Sequence, residues 1–98
     1  MIRRGASELL FKTKSVFSDG SIMEIVLWKV PAPIAGSRHT YKYRLYWGRD
    51  GMRIVGFANE RAKGDHCHLD GKEYAYAFTS PEALIEDFYA EIRRRMSK

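Results

Sequence analysis

Hydrophobic and polar residues alternate through the first two thirds of the chain, and this pattern indicates β-strands separated by short turns. Two Asp-Gly dipeptides, Asp19-Gly20 and Asp50-Gly51, separate the strand-like segments in pairs. An Asp-Gly dipeptide between such segments predicts a hairpin, because both residues tolerate the positive φ that a type I′ turn requires. The predicted strands are Leu9–Phe17, Ile22–Val30, His39–Trp47 and Met52–Asn59.

The last third of the chain changes in character. The polar segment Glu60–Lys72 is predicted to be a loop, and Tyr74–Phe78 a short fifth strand. A helix is expected to follow, with Ser80 as its N-cap and Pro81 in its first turn. Apolar residues recur there at three- and four-residue spacing and predict one buried stripe, formed by Leu84, Ile85, Phe88, Ile92 and Met96. The expected fold class is α+β: a twisted antiparallel β-meander of four to five strands with one C-terminal helix packed on one face.

Composition narrows the class of protein. A chain of 98 residues with 45% hydrophobic and 13% aromatic residues predicts a single folded domain spanning residues 1–98. Seventeen basic residues against twelve acidic ones give a net charge of +5, which favours an acidic partner. A single cysteine excludes an intrachain disulfide. The longest apolar run, Ile22–Trp28, is too short to cross a membrane, so we expect no membrane partner and a cytoplasmic location.

The second predicted hairpin suggests where a nucleic acid could bind. With Asp50 and Gly51 as the turn residues, Tyr43, Leu45 and Trp47 are expected on the core face, opposite Ala58, Gly56 and Ile54. The other face would then pair Lys42 with Asn59, Arg44 with Phe57 and Tyr46 with Val55. Cationic groups beside aromatic rings suit phosphates and unstacked bases. Alternating Lys and Arg residues are also typical of a solvated sheet face.

Two histidines separated by one residue follow this hairpin. His66 and His68 would project to the same side of an extended segment, with Asp65 and Cys67 on the other. Two imidazoles that titrate near neutrality can act as the base and the acid of RNA cleavage, while a cation stabilises the charge on phosphorus. Lys63, or one of the arginines Arg44 and Arg61, could supply that cation.

Other interpretations of the histidine pair stay open. An exposed His-x-His pair often has no role. A metal site could form from His66 and His68 with Asp65, Asp70 or His39, but the pair lacks the second set of ligands typical of zinc sites. Cys67 is interpreted as a loop thiol. We therefore expect neither a metal nor a cofactor.

Several motifs together resemble one protein family. They are Phe17-Ser18-Asp19-Gly20-Ser21, Glu24, Trp28-Lys29-Val30-Pro31, Tyr41-Lys42-Tyr43-Arg44-Leu45, Asn59-Glu60-Arg61, Lys63-Gly64-Asp65-His66, His68 and Phe78-Thr79-Ser80. In these motifs the chain resembles the TumE-like toxins of bacterial type II toxin-antitoxin modules. The resemblance implies a small toxin that cleaves RNA or otherwise blocks translation, with a DNA-binding antitoxin of helix-turn-helix type as its partner.

The sequence hypothesis is therefore an endoribonuclease toxin that acts without metal. The expected catalytic residues are His66, His68, Asp65, Arg61 and Lys63. The expected RNA-binding residues are Lys42, Arg44, Tyr46, Asn59 and Glu60, where Glu60 or Asp65 would also orient an imidazole. Two alternatives are a nucleic-acid-binding module without catalysis and a metal-dependent nuclease that uses the His-x-His segment. The sequence leaves a homodimer open.

Overall fold

A computed structural model of the chain describes residues 6–96. Six strands and one helix follow one another in this part of the chain. They are β1 (Glu8–Val16), β2 (Ile22–Lys29), β3 (Tyr41–Arg49), β4 (Met52–Ala58), β5 (His66–Leu69), β6 (Lys72–Ala75) and α1 (Pro81–Met96). None of the helical structure in residues 6–96 is long and apolar enough to cross a membrane.

The strands form one antiparallel sheet in the order β1-β2-β3-β4-β5-β6, so that neighbours in the chain are neighbours in the sheet. The α+β class and the meander are confirmed, but the expected four to five strands are six. The segment Glu60–Lys72, predicted to be a loop, contains β5 and the turn that leads to β6. The fifth predicted strand, Tyr74–Phe78, corresponds in part to β6, which ends at Ala75.

The Asp-Gly turns differ in geometry. Asp50 and Asp70 have φ values of 54°, and each is followed by a glycine with positive φ, as a type I′ turn requires. At the first hairpin only Gly20 has positive φ, and Phe17 and Ser21 close a longer loop through a backbone hydrogen bond of 2.9 Å. The hairpin is therefore where the sequence predicts it, but its turn is of another type.

A β-bulge in β4 shifts the pairing of the second hairpin by one residue from the predicted register. Gly48 pairs with Arg53, whereas Trp47 pairs with Val55, so Ile54 is an extra residue. Beyond this point the partners are shifted by one residue: Leu45 faces Phe57, Tyr46 faces Gly56 and Arg44 faces Ala58. The predicted pairs Tyr43–Ala58, Leu45–Gly56, Trp47–Ile54, Lys42–Asn59, Arg44–Phe57 and Tyr46–Val55 are wrong for this reason.

The helix covers one face of the sheet, where it contacts β3 and β4. Its N-terminus is capped as predicted, because the Ser80 hydroxyl accepts a hydrogen bond of 3.1 Å from the amide of Ala83. Leu84, Phe88 and Ile92 of the predicted stripe are buried. They pack against the apolar residues of one sheet face, which include Ile25, Leu27, Tyr43, Leu45, Trp47, Val55 and Phe57. No helix within residues 6–96 covers the other face of the sheet.

Candidate functional site

The sheet face without the helix carries His66, His68 and several charged side chains. Because directly paired residues project to the same side, the pairings define two rows of side chains that cross this open face. One row is Lys12, Val26, Arg44, Ala58 and His66. The other row is Lys14, Glu24, Tyr46, Gly56, His68 and Glu73. The expectation that the two histidines share a side is confirmed, and that side also carries Arg44 and Tyr46.

A pocket of about 230 Å³ lies on this open face. We call it the trough. Its floor is Gly56 and Ala58 of β4, which are too small to fill the space between β3 and β5. The other side chains around it include Lys42, Arg44, Tyr46, Arg53, Glu60 and His68. Neighbouring strands lie about 4.8 Å apart, so β3 and β5 form walls that are about 10 Å apart.

The bulge in β4 places a further cation at the trough. Arg53 pairs with Gly48 on the open face, and its side chain lies over Gly56, where an added Cβ would be 2.7 Å from Arg53 Cδ. If β4 alternated regularly through Ile54, without a bulge, Arg53 would lie on the same side as Val55, which is the helix side. The absence of a side chain at Gly56 therefore leaves room for the aliphatic part of Arg53.

The two imidazoles differ in their surroundings. His66 is 3% exposed, and its Nδ1 lies 3.0 Å from the carbonyl oxygen of Gly64. Since a carbonyl only accepts, Nδ1 carries the proton and the neutral ring keeps its lone pair on Nε2. That nitrogen is buried and has no hydrogen-bond partner among the described residues; Oε1 of Glu60 lies 3.7 Å away.

His68 is the imidazole that lines the trough, and its ring centroid is 5.4 Å from that of His66. Its Nε2 lies 3.0 Å from Oε1 of Glu73, and the same oxygen accepts a hydrogen bond of 2.7 Å from Lys63. Burial lowers the pKa of His68 and the charge of Arg53 lowers it further, while Glu73 raises it. The hydrogen bond from Lys63 lowers the pKa of Glu73. Burial and the charge of Arg53 therefore favour the neutral imidazole of His68, since both lower its pKa.

Two loops hold the start of β5 in place. The amide of Ala62 donates a hydrogen bond of 2.6 Å to the carbonyl of Ala35, and Gly36 lies against Gly64. A Cβ on Gly36 would be 2.7 Å from the amide nitrogen of Gly64, so the two backbones approach more closely than a side chain would permit. Gly64 is also the residue whose carbonyl fixes the tautomer of His66, so this contact positions the imidazole.

Asp65 belongs to this loop contact and not to the trough. One of its carboxylate oxygens lies 2.7 Å from Nε2 of His39, and the other accepts a hydrogen bond from the Ser37 hydroxyl. The His39 ring stacks on Phe78 at a centroid distance of 3.8 Å. Sequence reasoning expected Asp65 to orient an imidazole of the His66 and His68 pair; the imidazole it contacts is that of His39.

Asn59 ties the end of β4 to the same loops. It is 1% exposed, and its Oδ1 accepts a hydrogen bond of 2.9 Å from the amide of Tyr43. Its Nδ2 donates to the carbonyl of Tyr41 at 2.7 Å and to the hydroxyl of Ser37 at 3.2 Å. Its polar atoms are thus all engaged within the protein, although it borders the trough.

The structure gathers most of the predicted site residues. His66 lies beside His68, and Lys63 donates a hydrogen bond to Glu73, which also contacts His68. The predicted residues that border the trough are Lys42, Arg44, Tyr46, Asn59, Glu60 and His68. Arg61 is exposed on the loop and is not among the residues that line the trough. Sequence reasoning missed Arg53, Gly56 and Glu73. The signal for Glu73 was the Asp70-Gly71 dipeptide, since a two-residue turn there places His68 opposite Glu73.

Two other features lie away from the trough. Cys67 is buried on the helix side of the sheet, where burial raises the pKa of its thiol. The sequence interpretation of Cys67 as a loop thiol is wrong, because Cys67 lies in β5. Its buried thiol, with a raised pKa, disfavours the thiolate that a nucleophile needs. In the basic run at the end of α1, Arg95 forms ion pairs with Asp70 at 2.7 Å and with Glu91 at 2.8 Å. Part of that charge therefore anchors the helix end.

Comparison with known proteins identifies the family. No curated protein and no solved structure gives a significant match to the chain. The family model described as "Toxin TumE" matches residues 3–96, which is nearly the whole chain, and so confirms the resemblance seen in the motifs. Membership implies an antitoxin as partner. The chain belongs to the TumE toxin family and is the toxin component of a toxin-antitoxin module.

Proposed function

We propose that the toxin cleaves RNA at the trough by general acid-base catalysis by histidines. The observation that carries the proposal is the placement of cations and an aromatic ring on one wall, at Lys42, Arg44 and Tyr46, opposite His68 on the other. The wall spacing of about 10 Å leaves room for a backbone phosphate between them. RNA is the substrate class that combines phosphates, unstacked bases and a 2′-hydroxyl nucleophile.

The cationic residues would bind the phosphate and stabilise the transition state. Lys42, Arg44 and Arg53 are exposed around the trough, so each can form charge-assisted hydrogen bonds to phosphate oxygens. The planar guanidinium of Arg44 suits two oxygens at once, and Tyr46 beside it offers a ring on which a base could stack. Negative charge that develops on the phosphorus oxygens would be stabilised by the same groups.

In the proposed reaction the 2′-oxygen forms a bond to phosphorus and the bond from phosphorus to the 5′-oxygen breaks. One imidazole takes the proton of the 2′-hydroxyl, and the other, in its protonated form, gives a proton to the 5′-oxygen. The products are a 2′,3′-cyclic phosphate and a 5′-hydroxyl. The proposal needs no metal as a reactant.

The two histidines have unequal access to RNA. His68 lines the trough and would contact the substrate directly. The Nε2 atom of His66 is buried, and the nearby carboxylate of Glu60 belongs to a side chain that is 65% exposed. In this mechanism RNA binding turns Glu60 away from His66. The lone pair on Nε2 of His66, which is free because Nδ1 bonds to the carbonyl of Gly64, then becomes available to the substrate.

The test is cleavage of a defined RNA by purified toxin in the presence of a chelator. We expect wild type to release products with 2′,3′-cyclic phosphate ends, and His68→Ala to be slower by about 10²- to 10⁴-fold. Arg44→Gln should lower the rate about 10- to 100-fold, since a charged hydrogen bond contributes about 1.5–3 kcal/mol. Gly56→Val should fill the floor of the trough and displace the side chain of Arg53. Because that side chain is flexible, we expect the variant to fold but to lose cleavage.

Arg94→Gln is the matched control, because Arg94 is a highly exposed arginine near the end of α1. It should cleave like wild type. Equal cleavage by wild type, His66→Ala and His68→Ala would overturn the proposal. Salt-sensitive RNA binding without any cleavage would instead favour the binding module without catalysis.

A further inference from the structure

We infer that His66, His68 and Glu73 form a binding site for a transition-metal dication of the zinc type at the edge of the trough, which His68 lines. A ring nitrogen of each histidine and a carboxylate oxygen of Glu73 lie within 4.8 Å of one another. Two imidazoles and one carboxylate are ligands that Zn²⁺ accepts with a fourth position left open. The neighbouring strand β6 supplies one ligand beyond the His-x-His pair, which is Glu73.

The buried nitrogen of His66 is the independent observation for this site. His66 is 3% exposed and its Nε2 has no hydrogen-bond partner among the described residues, although a buried unpaired polar atom is costly. Its Nδ1 is engaged by the carbonyl of Gly64, so Nε2 is the nitrogen left for a metal. Histidine ligands of metals commonly donate their other ring proton to a backbone carbonyl in this way, which fixes the ring and its tautomer.

Without metal, the ammonium group of Lys63 forms an ion pair with Glu73, the third ligand. Its Nζ lies 2.7 Å from Oε1 of Glu73, which is also 3.0 Å from Nε2 of His68. A dication bound there would have to displace Lys63, because the two positive charges would repel each other within the same site. Lys63 and Glu73 are both 44% exposed at their side chains, so the ammonium can leave without disturbing the core.

The consequence for activity rests on the proposed function. A metal bound to both histidines would occupy the lone pairs that acid-base catalysis requires, so Zn²⁺ would inhibit RNA cleavage and a chelator would restore it. Metal binding itself depends only on the three ligands. The site and the mechanism can therefore fail separately.

The experiment is calorimetric titration of Zn²⁺ into the full chain without a histidine tag, with Co²⁺ absorption as a second readout. We expect saturable binding of one ion. His66→Ala and Glu73→Gln should each weaken it by about tenfold or more. Lys63→Gln should tighten it about fivefold, because removal of a neighbouring charge is worth about 1 kcal/mol. The change at Glu73 is on an exposed strand, so it tests the site even if His66→Ala fails to fold.

Glu86→Gln, which removes an exposed carboxylate of α1, is the control and should bind like wild type. Absence of saturable binding up to concentrations on the order of 0.1 mM would overturn the site, as would unchanged affinity in Glu73→Gln. One-to-one binding that activates cleavage would support the site but contradict the metal-free mechanism. One-to-one binding that inhibits cleavage supports both.

Discussion

Replacement of Asn59 separates a structural role from an RNA-binding one. In Asn59→Ala the amide of Tyr43 and the carbonyl of Tyr41 lose their side-chain partner. Each buried backbone group left unpaired costs about 1–3 kcal/mol, and water entering the space of the lost amide recovers part of it. We therefore expect the free energy of unfolding to fall by about 2–4 kcal/mol.

Asn59→Asp sharpens the test because it keeps the acceptor for Tyr43 but loses the donor to Tyr41. An ionised carboxylate there faces a carbonyl oxygen, so burial and this contact raise the pKa of the new side chain above its unfolded value of about 3.9. A raised folded pKa means that the variant is most stable below the unfolded pKa and loses stability as the pH rises through the folded pKa. The variant should recover towards wild type in acid, unlike Asn59→Ala.

Urea unfolding followed by tryptophan fluorescence measures both variants, since Trp47 is 1% exposed in the core. Thr79→Ala, an exposed polar residue, is the control and should change stability by less than about 0.5 kcal/mol. A loss below about 0.5 kcal/mol in Asn59→Ala, together with weaker RNA binding, would refute the structural role and restore Asn59 to the RNA-binding set.

Three further predictions concern the fold. Phe88→Ala should lower the free energy of unfolding, measured in urea, by about 3–5 kcal/mol, because Phe88 is fully buried and packs edge-on against Phe57. A loss no larger than that of Glu86→Ala, at an exposed position, would contradict the helix packing. Hydrogen bonds from Ser21 hold the pKa of Asp19 at about 2, below its usual 3.8, so its stabilising contribution is complete above about pH 4 and is lost as the pH falls towards 2. Asp19→Asn should therefore melt below wild type near neutral pH and at the same temperature near pH 2, and a difference that stays constant with pH would count against these hydrogen bonds. Ala62 has a φ of 68°, a conformation that costs a non-glycine residue about 1–2 kcal/mol. Ala62→Gly should therefore raise the free energy of unfolding by about 0.5–1 kcal/mol, and a lower free energy of unfolding would exclude strain at this position.

The sequence predicts the strands, the helix and its cap because these follow from local signals. The buried stripe at Leu84, Phe88 and Ile92 and the cap at Ser80 need no knowledge of distant residues. The hairpin of β5 and β6 also has a local signal, Asp70-Gly71, but its strands are only four residues each and rich in polar residues. Hydrophobic alternation is weak over so short a length, which is why the segment resembles a loop.

The register of β3 and β4 could not be predicted in the same way. A bulge adds one residue without a dedicated composition signal, and Ile54 differs little from the strand residues beside it. The partner of Asp65 could not be predicted for a related reason. His39 is distant from Asp65 in sequence, and their contact depends on how Gly36 packs against Gly64. Proximity in sequence favours the His66 and His68 pair as the partner of Asp65, whereas the tertiary packing brings Asp65 to His39.

The meander order of the sheet also bears on how fast the toxin folds. Each strand pairs with the next one in the chain, and four of the five connections are either hairpin turns or short loops. Closing such short loops costs little chain entropy, so β-pairing can proceed from one hairpin to the next. The strands that carry the trough, β3 to β5, are consecutive, so refolding from denaturant should restore the walls and floor together without waiting for α1 to dock.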